Sequence, residues 1–189
     1  MSDDNEPDWR IARALDRCDR LFPKRYATAV ADLPDVLAWA ARYRDTPDDC
    51  PSLLLLGRTG VGKTHQAYGA IRAAVSTVRP VDWRATTAAD MYADLRPRAG
   101  IDSADEFRKI STCPLLLIDD IGAAKHSDWT EEVTYRLINH RYQECVPTIF
   151  TSNVTPTQLA DVLGDRIASR LTEMCTRVVM PGQDRRRAA

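Results

Sequence analysis

The chain of 189 residues has few of the features that are typical of secreted proteins, membrane proteins or proteins stabilised by a bound metal. Its five cysteines are widely spaced, odd in number and include no C-x-x-C pair, which argues against a zinc site or a disulfide framework and suits a reducing cytoplasm. No apolar run is long enough to span a bilayer, and no signal-peptide core precedes the domain. Because the formal net charge is −1, any contact with nucleic acid must come from local patches.

The most specific feature is a glycine-rich segment between an apolar run and a stretch of helical periodicity. Residues 57–64 read G-R-T-G-V-G-K-T and match the phosphate-loop pattern G-x-x-x-x-G-K-[ST] in full. Glycines let backbone N–H groups surround phosphate oxygens, Lys63 can reach the β- and γ-phosphates, and the Thr64 hydroxyl can ligate Mg²⁺. The expected nucleotide contacts are Gly57, Arg58, Thr59, Gly60, Val61, Gly62, Lys63, Thr64 and His65.

A second apolar run ends in two carboxylates. Residues 115–118 read L-L-L-I and are followed by Asp119 and Asp120, a pattern typical of a buried parallel strand and similar to a Walker B strand. We expect Asp119 to hold Mg²⁺ through water and Asp120 to polarise the attacking water. Alone, the pair would be read as two solvated acids at a strand end, and it is the phosphate loop that favours the nucleotide site.

A third apolar run turns polar at its end. Residues 146–150 are apolar or β-branched and lead into Thr151, Ser152 and Asn153. Ligands of open α/β sheets bind beyond the carboxyl ends of the strands. We therefore expect Asn153, with Thr151 as the second candidate, to face the γ-phosphate.

An arginine pair lies on a predicted short helix further along the chain. Arg166 and Arg170 are four residues apart and so share one face, while Ile167 and Leu171 form the opposite, apolar face. Taken alone, such a pair is most often a solvated helix surface.

The order of these motifs resembles one family. The segments D-D-I-G at 119–122, N-H-R-Y at 139–142, T-S-N at 151–153 and G-D-R-I-A-S-R-L at 164–171 are similar to those of DnaC-type AAA+ helicase loaders and the related IstB-type transposition helpers. The resemblance runs from residue 53 to residue 187. It implies an α/β fold: a P-loop AAA+ core with a central parallel sheet of about five strands, helices on both faces and no C-terminal lid domain.

The resemblance also implies ligands and residue roles. ATP and Mg²⁺ would be the cofactors, and Asn153 would occupy the sensor-1 position. Arg170, with Arg166 as second choice, would be an arginine finger that reaches the site of a neighbouring subunit in a homo-oligomer. Arg25 and Tyr26 would lie near the adenine.

Two functions stay open on this resemblance. The first is a slow ATPase of DNA replication that acts as a helicase loader with a replicative helicase and single-stranded DNA. The second is an IstB-like helper that delivers a transposase or another DNA enzyme. The local basic patches available for DNA are Arg96 with Arg98, Lys125 with His126, and Arg185, Arg186 and Arg187.

The chain is expected to have three parts. Residues 1–52 form an N-terminal extension of short helices, a candidate for partner binding and for the adenine side of the site; residues 53–182 form the AAA+ core; and residues 183–189 form a basic tail. A second strand is predicted over 81–85, and a helix over 128–143 is expected to open with a capping box from Asp128 to Glu131.

Overall fold

The structure is a computed structural model and describes residues 9–77, 79, 81–97, 102–123 and 127–182. The predicted basic tail at 183–189 and the patch residues Arg98, Lys125 and His126 lie outside these ranges.

Strands and helices alternate along the chain, as a parallel sheet requires. In the described ranges the strands are β1 Ser52–Leu56, β2 Trp83–Thr87, β3 Leu115–Asp119, β4 Thr148–Ser152 and β5 Cys175–Val179. The α-helices are α1 Trp9–Leu21, α2 Pro34–Asp45, α3 Lys63–Val75, α4 Ala88–Leu95, α5 Ser103–Ser111, α6 Asp128–Gln143, α7 Leu159–Leu163 and α8 Asp165–Met174. Short 3₁₀ turns span Lys24–Tyr26, Pro47–Asp49 and Pro156–Gln158.

The strands form one sheet in the order β2-β3-β4-β1-β5, and every neighbouring pair is parallel. This confirms the predicted five-stranded parallel sheet. Because all strands run the same way, the carboxyl ends of β1, β3 and β4 lie at one edge. The residues that follow these three strands are the phosphate loop, Asp120 and Asn153.

Helices cover both faces of the sheet, as predicted. Side chains alternate along a strand, so Leu53 and Leu55 of β1 pack in one hydrophobic cluster with α1, α2 and α3. Leu54 and Leu56 pack in the other cluster with α4 to α8. Since residues of α1 and α2 share the first cluster with β1, packing is continuous across the predicted boundary between residues 52 and 53. Within the ranges described, no helix is long and apolar enough to cross a membrane.

Two predicted boundaries differ from those in the structure. β2 spans Trp83–Thr87 and not 81–85, because its pairing with β3 begins at Trp83 opposite Leu115 and continues to Thr87 opposite Asp119. α6 is capped by Ser127, whose hydroxyl accepts from the Thr130 N–H at 3.2 Å. The capping box therefore lies one residue before the predicted one, because Ser127 is the last residue with extended backbone angles.

The fully buried Arg141 ties the amino-terminal ends of β3 and β4 together. Its Nε donates to Thr148 Oγ1 at 2.6 Å, and its terminal nitrogens donate to backbone carbonyls before both strands. The carbonyl acceptors are those of Ile110, Ser111, Cys113 and Pro147, at 2.7–3.1 Å. Burial lowers the pKa of Arg141 to about 10, which still leaves the guanidinium charged at neutral pH. Arg141 thus has a structural role inside the N-H-R-Y segment.

Arg141→Met should destabilise the fold strongly. Methionine fills similar space but leaves buried carbonyls without donors, at about 1–3 kcal/mol each, so we expect the free energy of unfolding to fall by roughly 3 kcal/mol or more. Urea denaturation measures the change. The matched control is Arg136→Met on the same helix, where an exposed guanidinium lies 4.0 Å from the Phe107 ring centroid and should cost about 1 kcal/mol or less. Equal losses for the two variants would contradict the assigned role of Arg141.

Candidate nucleotide-binding site

The loop between β1 and α3 is shaped by glycines with left-handed backbone angles. Gly60 has φ +86° and Gly62 has φ +101°, conformations that strain any residue with a side chain. Gly62 is the residue before α3, so the first helical residue is Lys63. The first N–H groups of a helix point out of its amino-terminal end and give it a partial positive charge suited to phosphate.

Lys63 lies at the centre of a connected group of polar side chains. It is 6% exposed, and its Nζ donates to Gly57 O at 2.7 Å, Arg58 O at 3.0 Å and Asn153 Oδ1 at 2.7 Å. Asn153 in turn donates from Nδ2 to Asp120 Oδ1. Side-chain hydrogen bonds therefore join the phosphate loop, the residue after β4 and the residue after β3.

Asp119 is held by two hydroxyl groups. Thr151 Oγ1 donates to its Oδ1 at 2.6 Å, and Thr64 Oγ1 donates to the same oxygen at 3.0 Å. Burial raises the pKa of Asp119, the two hydroxyl hydrogen bonds oppose that shift, and the neighbouring Asp120 carboxylate adds to it. Asp120 itself has φ +60°, which is uncommon outside glycine, asparagine and aspartate.

The oxygens of Thr64 and Asp119 suit a hard cation such as Mg²⁺. Across the described ranges, no group of three or more His, Cys, Asp or Glu side chains could hold a metal by itself. Mg²⁺ is usually held by one or two carboxylates together with substrate phosphates, so the pair fits that ion better than an all-protein cage would.

These residues border one open cleft of about 720 Å³. That volume is within the range of small-molecule and cofactor sites. The lining residues are Arg25, Tyr26, Thr59, Gly60, Gly62, Lys63, Thr64, His65, Asp119, Asp120, Thr151 and Asn153. Most of the predicted contacts are thus brought together; Gly57, Arg58 and Val61 belong to the loop but do not line the cleft.

The predicted adenine-side residues are positioned by a segment that the sequence analysis did not identify. We call residues 27–33 the strap. Arg72 of α3 donates to the carbonyls of Ala27 and Ala29 at 2.5 and 3.1 Å. At the other end of the strap, Gln66 Oε1 accepts from the N–H groups of Asp32 and Leu33 at 3.1 and 3.3 Å.

A close backbone approach joins the middle of the strap to α3. A Cβ on Gly69 would lie 2.2 Å from the Ala31 nitrogen, so only glycine fits there. Gln66, Gly69 and Arg72 are spaced three apart and share one helix face. That spacing was the only signal of the strap in the sequence, and it matches no known motif. Just before the strap, the Tyr26 ring stacks on Tyr68 with centroids 5.0 Å apart.

The arginine pair lies away from the cleft. Arg166 and Arg170 border a separate depression of about 380 Å³ with Tyr135. The Arg170 guanidinium is 4.3 Å from the Tyr142 ring centroid, and that of Arg166 is 5.4 Å from Tyr135. Ile167 and Leu171, on the opposite face, are buried as predicted.

One predicted basic patch falls within the described residues. Arg96, at the end of α4, lies 5.2 Å from the ring centroid of Trp129 near the start of α6. Tyr92 contacts the same ring edge-on, with centroids 6.0 Å apart. A cationic group and two aromatic rings thus share this part of the surface.

The fold and the site define a P-loop protein of the AAA+ class. The crystal structure of a DnaC helicase loader superimposes with a TM-score of 0.70 at 24% identity, covering 84% of this chain and all of that chain. The crystal structure of DnaI gives 0.74 at 22% identity, covering 89% and 99%. Similarity at this level of identity establishes the fold.

The chain belongs to the family of IstB-like ATP-binding proteins, whose family model matches residues 43–188. This confirms the resemblance found in the sequence. A putative ATP-binding protein in an insertion sequence of Mycobacterium tuberculosis is 29% identical over 182 residues, covering 92% of this chain and 70% of that protein. The replicative helicase loader DnaI of Bacillus subtilis is 27% identical over 95 residues, covering 43% of this chain. The chain spans only 30% of the length of DnaI and 48% of a second Bacillus subtilis relative, a phage-like element protein.

Gly69→Ala should detach the strap from α3. The added methyl would meet backbone atoms that cannot rotate away, so we expect the free energy of unfolding to fall by about 1–3 kcal/mol. Hydrogen exchange at the Asp32 and Leu33 amides should accelerate, while the amides of the β1 ladder remain protected. Alanine is the better helix former by about 1 kcal/mol, so a stabilised variant would mean that helix propensity dominates and the contact is loose.

Proposed function

We propose that this chain binds ATP with Mg²⁺ and hydrolyses it. The observation that carries the proposal is the hydrogen-bonded group of Lys63, Asn153 and Asp120 beside the Thr64–Asp119 pair, all bordering one cleft at the carboxyl ends of three strands. Membership of an ATP-binding family supports the choice of nucleotide. A DnaA structure with the ATP analogue AMPPCP bound has the same fold, with a TM-score of 0.70 at 20% identity.

The proposed roles follow from the chemistry of each side chain. An ammonium group has three donors, and Lys63 would exchange its bond to Asn153 for a phosphate oxygen while its carbonyl bonds hold it in place. Thr64 and Asp119 would hold Mg²⁺, which neutralises phosphate charge when it is bound. Asp120 would orient the attacking water. Asn153 would sense the γ-phosphate that replaces it on Lys63.

The adenine side of the proposed site is formed by Arg25 and Tyr26. Tyr26 borders the cleft and is backed by the ring of Tyr68, which makes a flat aromatic surface next to the phosphate loop. Aromatic faces suit the stacking of a nucleobase. The N-terminal extension would therefore contribute to the nucleotide site through Arg25 and Tyr26.

We further propose that the active unit is a homo-oligomer. Arg170, with Arg166 as second choice, would reach the γ-phosphate bound by a second copy of the chain, because neither arginine borders the cleft of its own chain. An arginine supplied in this way stabilises charge in the transition state of related phosphoryl transfers.

The biological role we propose is that of a helicase loader, which acts in the cytoplasm with a replicative helicase and single-stranded DNA. The DnaC and DnaI structures support it through their fold, and the Arg96–Trp129 surface offers a charge and an aromatic face to a single strand. The second candidate is a transposition helper, favoured by the insertion-sequence relative that aligns over 92% of this chain. Pull-downs with a purified replicative helicase and with a transposase, each with and without ATP, would distinguish the two.

Lys63→Ala should abolish nucleotide binding and leave the fold intact. The variant loses the ammonium group proposed to bind the phosphates, so we expect ATP affinity to fall by about 100-fold or more, roughly 2.7 kcal/mol. Isothermal calorimetry measures the affinity, and circular dichroism checks the fold. Lys109→Ala, which removes a surface lysine paired with Asp105 and Glu106, is the matched control and should bind as the parent does. An unchanged affinity in Lys63→Ala would rule out the proposed site.

Arg170→Ala should bind ATP, fail to hydrolyse it, and regain turnover when mixed with Lys63→Ala. Each mixed interface can then pair an intact pocket with an intact arginine. In an equal mixture about a quarter of interfaces are productive, since half of the pockets are intact and half of the neighbours carry the arginine. The double variant Lys63→Ala/Arg170→Ala is the control, because it lacks the arginine and should restore nothing. Absence of recovery in mixtures that assemble by light scattering would mean that Arg170 is only a surface charge.

A further inference from the structure

Thr151 contacts both carboxylate residues at the end of β3. It is 1% exposed, and its hydroxyl donates to Asp119 Oδ1 at 2.6 Å and accepts from the Asp120 N–H at 2.8 Å. Its carbonyl accepts from the Ile121 N–H at 2.8 Å. One residue of β4 therefore binds three consecutive residues of the neighbouring segment.

The direction of these hydrogen bonds is fixed by chemistry. An ionised carboxylate can only accept, so the single Thr151 proton must point at Asp119. The hydroxyl oxygen is then left to accept from Asp120. Both functions of the hydroxyl are used, and neither is available to a phosphate.

The Thr151 hydroxyl also replaces the regular strand pairing at this point. The β3–β4 register ends with the pair Ile118 and Phe150. One step later Asp120 turns into the left-handed region, and its N–H is satisfied by the Thr151 side chain and not by a backbone carbonyl. A residue without a hydroxyl would leave the part-buried Asp120 N–H without this acceptor, and Asp119 would keep only the hydrogen bond from Thr64.

We propose that Thr151 is a positioning residue for the Mg²⁺ site: it fixes the Asp119 carboxylate opposite Thr64 and holds Asp120 in its turn before nucleotide arrives. The inference rests on the proposed function, in which Asp119 and Thr64 hold Mg²⁺. Thr64 is itself a proposed ligand of the ion, whereas Thr151 contacts Asp119 and not the ion, so the Thr151 hydrogen bond does not have to change when Mg²⁺ binds. Partners of this kind, one step removed from the ion, commonly affect metal affinity 10- to 100-fold.

Ser152 provides a matched control on the same strand. It is fully buried, and its hydroxyl donates to the Ile121 carbonyl at 2.6 Å. Ser152→Ala thus removes a buried hydroxyl contact between the same two segments without touching either carboxylate. Thr151→Ser keeps the hydroxyl, and Thr151→Val replaces it with a methyl group of the same shape.

The experiment titrates Mg²⁺ against each variant in the presence of a fluorescent ATP analogue and reads the Mg²⁺ concentration at half-maximal binding. Thr151→Val should raise that concentration about 10- to 100-fold and leave metal-free binding of the analogue unchanged. Thr151→Ser and Ser152→Ala should stay within about threefold of the parent, well short of that effect. Hydrogen exchange at the Asp120 amide should accelerate in Thr151→Val and not in Ser152→Ala. If Thr151→Val does not fold, Thr151→Ala removes the same hydroxyl without adding a methyl.

The outcomes distinguish a failure of the Thr151 proposal from a failure of the proposed ATP site. Suppose that the parent protein binds the analogue in a Mg²⁺-dependent way and that Thr151→Val has the same half-maximal Mg²⁺ concentration as the parent. That result would overturn the role of Thr151 and would not affect the proposed ATP site. Equal shifts in Thr151→Val and Ser152→Ala would mean that both hydroxyls act only through the fold. A parent protein with no Mg²⁺-dependent binding would remove the proposed function and this inference together.

Discussion

The arrangement of this molecule depends on the complete burial of β1. Leu53, Leu54, Leu55 and Leu56 have no exposed surface, since both faces of the sheet are covered and both edges of the strand are paired. Each such leucine contributes about 1.5–3 kcal/mol of hydrophobic stabilisation. A strand fixed in this way leaves its carboxyl end at one defined point, and the glycine loop must start there. The position of the nucleotide cleft is therefore a consequence of core packing.

Around that point the polar side chains are bonded mainly to one another. Lys63 is bound by two loop carbonyls and Asn153, and Asp119 is bound by two hydroxyls. Buried polar groups need such partners, because an unpaired one costs about 1–3 kcal/mol. The same hydrogen bonds that satisfy the fold also hold each group where a phosphate or a cation would meet it. Little rearrangement is then required of the protein when a nucleotide enters.

Much of the architecture could be predicted from the sequence, because continuous apolar runs mark buried parallel strands and the phosphate loop has a strict spacing. Gln66, Gly69 and Arg72 could not be assigned, since their role depends on a strap that lies more than thirty residues earlier in the chain. The start of β2 was misplaced for a related reason. The limits of this strand are set by its pairing with β3, and the local sequence of β2 does not show where that pairing begins. Thr151 was the second candidate, after Asn153, for facing the γ-phosphate. Its hydrogen bonds to Asp119 and Asp120 could not be predicted, because they depend on β3 and β4 being adjacent.

The proposed role of Arg166 and Arg170 requires a second copy of the chain. Arg170 is half-buried and lies over Tyr142, whose hydroxyl donates to Glu173 at 2.5 Å, whereas Arg166 is exposed and lies farther from its ring. A guanidinium that contacts a ring through its face can still donate from its edge, where its N–H groups match the oxygens of a phosphate. Under the proposed role, Tyr142 would restrict the rotamers of Arg170 before a second copy arrives, which reduces the entropy lost on contact. This difference in anchoring is the physical reason to prefer Arg170 over Arg166.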